Sequence, residues 1–259
     1  MATKKSLKIH KKNEIIRGAD DYSLFAKRAM NAIYYYMQKE NLYRYEILSI
    51  PFNHFRALLN LENEQNYVEI MKQAFLELKK PIELNNFTHP DGTIYRWYAT
   101  SFLNDVGFVK KNHRWYVKME VNGTLKRLMQ RKENFTELDL LVYQNKTRTK
   151  YAMKLYEFIK SFSKYRYIDL SAHHVRKLFR LEESKTYKNF SDLKRLLERQ
   201  IKEIKTKTDL QNIELQIDKK NKAFRVIINP KASKETTSEQ ETEKKMEEFL
   251  RPFPHLREN

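Results

Sequence analysis

The sequence predicts an α+β fold of two tandem winged-helix (helix-turn-helix) domains of related topology, because three features occur once in each half. The first is the tripeptide Tyr-Arg-Tyr, which begins at Tyr43 and again at Tyr165. The second is the apolar pattern that follows it, which places Ile50 and Leu170 at equivalent positions. The third is a Lys-Lys-Asn turn that precedes the last strand of each half. Internal similarity of this kind indicates a duplicated structural unit.

The first helix of each half is predicted from apolar residues at helical spacing. Ala29 and Met30 are followed by Ile33, Tyr34 and Met37, and Ala152 and Met153 are followed by Leu155, Tyr156 and Ile159. Tyr-Arg-Tyr is then expected to end each helix and to lead into a short strand. Its rings should pack in the interior, and Arg44 and Arg166 should lie at the surface.

Two further helices and a hairpin complete each half. The segment from Ser49 to Leu61 matches Asp169 to Leu181, and each is followed by a tyrosine and a second amphipathic segment. The closing strands alternate in polarity, with Trp115, Val117 and Met119 matched to Phe224, Val226 and Ile228. Two helices joined by a tight turn, with a basic hairpin behind them, are typical of the winged helix, whose third helix can enter a major groove about 12 Å wide.

The first half also contains an insertion before its closing hairpin. Asp91-Gly92 is a hairpin-turn signal, and Thr93 to Phe102 is rich in β-branched and aromatic residues. The N-terminal domain should therefore have an enlarged sheet. Its extra surface suits self-association or packing between the domains, although ordinary core packing would explain the same residues.

The charge composition points to a polyanionic partner. The chain has 51 Lys and Arg against 33 Asp and Glu, a formal net charge of +18 and a pI near 9.7. Nucleic acid explains such a charge better than an anionic membrane does. There is no apolar run of membrane-spanning length, no apolar core of a secretion signal and no cysteine, so we expect a soluble, cytoplasmic protein.

Four segments are predicted along the chain. They are a basic arm (1–8), an N-terminal winged-helix domain (9–131), a C-terminal winged-helix domain (132–229) and a mobile tail (230–259). In the tail, Met246, Phe249 and Leu250 could form a short amphipathic helix, although its polar composition is typical of a solvated segment. The lysines near the N-terminus should add electrostatic affinity or form a disordered basic tail; they are Lys4, Lys5, Lys8, Lys11 and Lys12.

The sequence lacks the motifs expected of the enzyme classes that act on DNA. The four glycines are not spaced as a phosphate-binding loop, which argues against an ATPase. His173 and Arg176 form the His-x-x-Arg pattern of tyrosine recombinases, but they fall on the second helix of the repeat. Adjacent His173 and His174 also lack the spacing of a metal-dependent nickase. We therefore expect no catalytic residue, no metal and no cofactor.

The third helix of the second half, from Asn189 to about Lys205, should be the main recognition helix. Its buried stripe is predicted to be Phe190, Leu193, Leu197, Ile201 and Ile204. Recognition helices contact bases mostly through their N-terminal half. The residues expected in the groove are Lys188, Asn189, Ser191, Lys194 and Arg195, with Arg199 and Lys202 on phosphate and Lys219, Lys220 and Lys222 on the backbone from the wing.

The N-terminal domain should contribute backbone contacts rather than base recognition. Its third helix is less basic at its start, where Glu69 would face phosphate unfavourably. The residues expected to contact the backbone are Lys72, Lys79, Lys80, Lys110, Lys111 and Arg114.

Several of these segments resemble the initiator replication proteins of iteron-containing, theta-replicating bacterial plasmids. The segments are "KKNEIIRG", "RTKYAMKLYEFIKSF" and "YKNFSDLKRLLERQIKEIKTKTDL", with the helix signature Tyr151-Ala152-Met153-Lys154-Leu155-Tyr156-Glu157 and the later pair Glu203-Ile204. The resemblance covers about residues 9–229.

This resemblance implies monomers that bind direct repeats at an origin and promote its opening, and dimers that bind an inverted repeat and repress the protein's own gene. It also implies contacts with the host initiator and the replicative helicase. The main alternative is a dimeric transcriptional repressor without a replication role, although such repressors usually carry one recognition domain per chain. A tyrosine recombinase is a more distant alternative.

Overall fold

Two winged helices, an added hairpin and a small N-terminal sheet make up the computed structural model, which describes residues 7–131, 133–140 and 147–228. The elements up to the first wing are β1 (Lys8–Lys12), α1 (Asn13–Arg17), α2 (Leu24–Lys39), β2 (Leu48–Pro51), α3 (Phe52–Leu58), α4 (Tyr67–Leu78), β3 (Pro81–Thr88), β4 (Ile94–Ser101), β5 (Leu103–Lys111) and β6 (Arg114–Val121). They are followed by α5 (Gly123–Gln130), β7 (Phe135–Asp139), α6 (Lys150–Lys160), β8 (Tyr167–Ser171), α7 (Ala172–Phe179), α8 (Phe190–Lys207), β9 (Glu214–Asp218) and β10 (Ala223–Ile227).

The two halves share one topology, as the repeat predicts. In the first half, α3 and α4 pack against a three-stranded antiparallel sheet with strand order β2-β6-β5, and α2 packs on α4. In the second half, α7 and α8 pack against a sheet with strand order β8-β10-β9, and α6 packs on both of these helices. Ile50 pairs with Val117 in one sheet, and Leu170 pairs with Phe224 in the other. The short strand therefore lies beside the last strand of its own wing in both copies.

Polar side chains fix where the first helix of each copy begins. The Ser23 hydroxyl accepts a hydrogen bond from the Ala26 amide at 3.2 Å, and the Thr149 hydroxyl accepts one from the Ala152 amide at 3.0 Å. Serine and threonine at this position satisfy backbone amides that have no partner within the helix.

The extra hairpin corrects the prediction of an enlarged sheet. β3 and β4 pair only with each other as a two-stranded sheet, apart from an isolated bridge between Ala19 and Glu83. The chain leaves β4 and reaches β5 through Phe102, which is fully buried, and the pairing of β5 with β6 is irregular between Leu103 and Asp105. This bend separates the hairpin from the winged sheet. One ion pair links the hairpin to the second winged helix, because the Arg180 guanidinium lies 2.5 Å from the Glu83 carboxylate, and the role of the extra surface stays a prediction.

The predicted basic arm also needs correction. β1 pairs antiparallel with β7, so Lys8 to Lys12 form a strand. Lys11 and Lys12 are 1% and 2% exposed, because this strand lies against α2 and Lys11 reaches Glu157 of α6. Lys8 remains exposed and pairs with Glu137 at 2.5 Å. Lys4 and Lys5, like the tail residues Met246, Phe249 and Leu250, lie outside the described residues.

The domain boundary at 131 and 132 stays a prediction. β7 lies beyond this boundary but pairs with β1, and α6 packs both on α2 and on α8. Buried apolar side chains from both halves accordingly form one continuous core, which includes Tyr34, Phe102, Tyr156 and Phe158.

The Tyr-Arg-Tyr repeats occupy less similar positions than expected. Tyr43 and Tyr165 pack partly against the core, and Arg44 and Arg166 are exposed as predicted. In the first copy, however, α2 ends at Lys39, and a 3-10 helix (Leu42–Arg44) follows it. Tyr45 is 60% exposed, so the prediction that its ring packs inside is wrong.

Candidate nucleic-acid interface

The third helix of the second winged helix, α8, separates an apolar face from a basic one. Its buried residues are Leu193, Leu196, Leu197, Gln200, Ile201 and Ile204. Phe190 is only partly buried, and its ring stacks on Phe224 at 4.7 Å between centroids. Leu196 and Gln200 widen the predicted stripe, because the helix packs on both α6 and the wing.

The opposite face of α8 is exposed and mostly basic. Lys188, Asn189, Ser191, Arg195, Arg199 and Lys202 are all exposed, as their assignment to a DNA surface requires, whereas Lys194 is half-buried. Arg195 contacts the Asp192 carboxylate at 2.7 Å, and Lys194 lies 3.7 Å from Glu198. Within the part of the chain that the structure describes, Lys188, Arg199 and Lys202 make no side-chain ion pair.

An arginine from the second helix holds the start of α8. Arg176 donates from Nε to the Tyr187 carbonyl at 3.2 Å and from Nη2 to the Lys188 carbonyl at 2.6 Å. Arg56 of the first copy similarly donates to the carbonyls of Leu61 and Glu62, and its guanidinium lies 3.8 Å from the Tyr67 ring centroid. These contacts give the arginine of the His-x-x-Arg pattern a structural role in the turn.

The neighbouring histidine caps the same helix. The Ser171 hydroxyl accepts a hydrogen bond from the His174 amide, and the His174 ring accepts one from the Ser171 amide at 3.4 Å. Burial, with the charges of His173 and Lys177, lowers the pKa of His174 to about 4. His174 is therefore a neutral capping residue at neutral pH.

The wing of the second copy presents its lysines at an exposed tip. Lys219, Lys220 and Lys222 are all exposed in the four-residue connection between β9 and β10. The Asp218 carboxylate accepts hydrogen bonds from the backbone and side-chain amides of Asn221 at 3.0 and 2.7 Å, and these bonds lower its pKa. This turn holds the three cationic groups together beside α8.

The equivalent helix of the first copy, α4, offers less positive charge. Lys72 and Gln73 both donate to the Glu69 carboxylate, at 3.2 and 2.9 Å. These hydrogen bonds lower the pKa of Glu69, so it stays ionised and offsets Lys72. Lys79 and Lys80 are exposed where α4 ends, and Lys110, Lys111 and Arg114 are exposed around the wing tip.

A cleft beside α4 was not predicted. It has a volume of about 660 Å³ and lies between α3, α4 and the wing. Aromatic rings line much of it, including Phe52, Tyr67, Phe108 and Trp115, and Trp115 is 52% exposed. The N-terminal wing therefore has an aromatic surface that the C-terminal wing does not share, since Phe224 is buried.

The pairing of strands explains why this cleft was missed. Ile50 of β2 pairs with Val117, and the equivalent Leu170 of β8 pairs with Phe224. Val117, rather than Trp115, is therefore the residue of the first wing that is equivalent to Phe224. The match through Lys-Lys-Asn is therefore shifted by two residues. A two-residue turn, Asn112 and His113, both with positive φ, lengthens the first wing and places Trp115 beyond the core.

Among the described residues, no group of His, Asp and Glu is arranged to hold a metal ion. None of the helices in the described ranges has the length and hydropathy needed to cross a membrane.

Two family models match the chain. The model described as "Initiator Replication protein, WH1" matches residues 8–160, and the model described as "Initiator Rep protein, WH2" matches residues 175–228. Among solved structures, the crystal structure of domain 2 and domain 3 of RctB is similar at 11% identity and a TM-score of 0.48, over 85% of this chain and 82% of that chain. No curated protein matches the chain.

Proposed function

Because the chain belongs to the initiator replication protein family, we propose that it binds direct repeats at a plasmid origin as sequence-specific double-stranded DNA. The observation that carries this proposal is the division of α8 into a buried apolar face and an exposed face bearing Arg195, Arg199 and Lys202. A helix that projects such a face beside a basic wing has the geometry of a major-groove recognition helix.

The two winged helices would contribute differently. In the C-terminal domain, the start of α8 would contact bases, and its later residues and the wing would contact phosphate. In the N-terminal domain, the exposed cations would contact the backbone, since Glu69 already offsets Lys72 on α4. Sequence recognition would then depend mainly on the second copy.

A binding comparison tests this proposal. DNA flanking the gene should contain direct repeats of about 20 base pairs, which gives each winged helix one half-site a helical turn apart. Fluorescence anisotropy should show that the protein prefers a repeat duplex over a scrambled duplex of the same composition. Equal affinity for the two duplexes at moderate salt would contradict sequence-specific binding.

Self-association would use the added hairpin. β4 pairs with β3 on one side only among the described strands, and it exposes Ile94 at 76% and Trp97 at 50%. An exposed strand edge with apolar side chains is suited to pairing with another chain. We propose that dimers formed there bind an inverted repeat and repress the protein's own gene, whereas monomers act at the origin with the host initiator and helicase.

A repressor without a replication role would bind the same DNA, so binding alone does not separate the two functions. Permanganate reactivity of unpaired thymines in a supercoiled origin plasmid does separate them. An initiator should increase this reactivity beside the repeats, and a repressor should leave it unchanged.

The proposed mechanism is assembly on DNA and DNA distortion, without covalent chemistry. Incubation of the pure protein with supercoiled origin DNA and Mg²⁺ should leave the plasmid intact. Conversion to nicked circles by wild-type protein would show that the chain has an enzymatic activity.

A further inference from the structure

Six polar side chains form a buried seam between the two winged helices. The seam consists of Lys11, Asp20, Lys27, Asn31, Lys154 and Glu157, and none of these residues is more than 8% exposed. The first four come from β1, α2 and the segment before α2, and the last two come from α6. Charged residues are almost never buried to this extent unless they are paired.

One part of the seam is centred on Asp20. Its two carboxylate oxygens contact different lysines, Lys27 of α2 and Lys154 of α6, the latter at 2.9 Å. The Lys154 ammonium also donates to the Gly18 carbonyl at 2.6 Å, and the Tyr22 amide donates to Asp20 at 3.2 Å. Asp20 is thus held between the first helices of both copies.

The other part of the seam is centred on Glu157. The Lys11 ammonium donates to both carboxylate oxygens, at 2.9 and 3.0 Å, and to the Asn31 side-chain oxygen at 3.2 Å. The Asn31 amide donates to Glu157 at 3.3 Å, which closes a three-membered network across β1, α2 and α6.

Each charge in the seam is stabilised by an opposite charge beside it. Burial alone would raise the pKa of Asp20, but the charges of Lys154 and Lys27 outweigh it and hold that pKa below its ordinary value. Burial lowers the pKa of Lys154 to about 8, against the opposing effect of Asp20. A shifted interface would leave buried charges unpaired, which costs far more than sliding one apolar surface over another.

The helices of the seam also carry the recognition helices. α2 packs on α4, and α6 packs on α8. A fixed contact between α2 and α6 therefore fixes the distance and angle between the two DNA-facing helices. A second link between the copies, from Arg17 to the Ser161 carbonyl at 2.9 Å, lies in the same region.

We propose that the buried seam determines the spacing between half-sites that the chain accepts, which rests on the proposed duplex binding. Each inserted base pair turns one half-site by about 34–36° and moves it by about 3.4 Å relative to the other. A rigid pair of winged helices cannot follow this change, whereas a pair joined by an apolar interface can adjust. Lys11, Asp20 and Glu157 are then positioning residues that need not touch DNA.

The test is a spacing profile measured with the full chain. The seam variant combines Lys11→Met with Glu157→Gln, which removes both charges and keeps a polar partner for Asn31. The matched control combines Lys8→Met with Glu137→Gln, an exposed ion pair that also starts from β1 but ends on β7, with side chains 54% and 47% exposed. Binding is measured on repeat duplexes with one or two base pairs inserted or removed between the half-sites.

The wild-type protein and the control should lose about tenfold or more in affinity when the spacing changes by one base pair, in the range of a single mismatch. The seam variant should lose only about threefold, while its affinity for the natural spacing changes little. A seam variant that keeps the wild-type profile would overturn the proposal. If the seam variant does not fold, Lys27→Met takes its place, because Asp20 then keeps Lys154 as a partner. A broader spacing profile for Lys27→Met would support the proposal, and a wild-type profile would overturn it.

The design also separates this inference from the proposed function. A wild-type protein that prefers no repeat duplex at any spacing would refute duplex recognition itself. A wild-type protein that binds repeats equally well at all spacings would refute only the positioning role of the seam.

Discussion

Replacement of Arg195 by alanine tests whether the start of α8 recognises bases. The Arg195 side chain is 72% exposed, and its guanidinium lies 2.7 Å from the Asp192 carboxylate in the unbound chain. An arginine in this place can donate two hydrogen bonds to guanine. The alanine variant removes these bonds without disturbing the buried face of the helix.

The expected loss follows from two opposing contributions. A bidentate contact to guanine discriminates by about 1–3 kcal/mol. An exposed ion pair is worth about 0–1 kcal/mol, and Arg195 must weaken its contact with Asp192 when it binds DNA. We therefore expect a net loss of about 1–2 kcal/mol, which is a decrease in affinity of about 5- to 30-fold.

Competition binding measures this loss against every base-pair substitution in one repeat. The Arg195→Ala variant should lose discrimination at a single base pair and keep it at the others. Lys202→Ala is the matched control, since Lys202 is exposed later on the same helix and should contact phosphate. If Arg195→Ala weakens all duplexes by the same factor, as Lys202→Ala should, Arg195 does not contact a base.

Three further predictions concern the wing, the turn and the cap of the second winged helix. Lys220→Ala should weaken binding to all duplexes alike and reduce the slope of log affinity against log salt by about one, whereas a sequence-dependent effect would contradict a backbone contact. Arg176→Ala should lower the free energy of unfolding by about 1–3 kcal/mol in urea, because two carbonyls lose their donor, while exposed Arg166→Ala should change it by under about 0.5 kcal/mol. The pKa of His174 in the folded chain lies below its ordinary value of 6.5. The free energy of unfolding should therefore have its full value above pH 6.5 and decrease as the pH falls towards 4. The decrease in the free energy of unfolding should be about 1–2 kcal/mol after allowance for the partial exposure of His174. The His174→Gln variant keeps the capping box and should remove most of this pH dependence.

Local patterns were sufficient to predict the helices and strands of both winged helices. The apolar spacing of α8 needs only residues within one helix, and the repeat of Ile50 and Leu170 places each short strand correctly. The exposed positions of Ser191, Arg195, Arg199 and Lys202 on α8 follow from the same helical period.

Contacts between distant segments were not predictable in this way. Lys11 belongs to a strand whose partner, β7, lies more than 120 residues later, and a short run rich in lysine has the composition of a solvated arm. Its burial depends on Glu157 and Asn31, which are not neighbours in sequence. Long-range pairing of this kind has no local signature.

The wing shows a different reason for error. Lys-Lys-Asn occurs in both turns, but one connection has two residues and the other has four. Aligning the two wings through Lys-Lys-Asn therefore placed their closing strands two residues out of register. A shift of two keeps each residue on its correct face of the sheet, so the alignment gave no sign that Trp115 is exposed. Turn length, rather than turn composition, sets the register of a hairpin.

The pairing of β1 with β7 has a consequence for how the chain folds during synthesis. Lys11 bonds to Glu157, which is 146 residues later, so at about 5–20 residues per second the ribosome needs about 7–30 seconds to supply this partner. For most of that interval α2, α3 and α4 can form, but β1 has no edge to join, because β7 begins only at Phe135. The fixed geometry between the two winged helices is therefore acquired late in translation. A fragment that ends at residue 131 would keep its own recognition helix and lack the strand and the helix that cover β1.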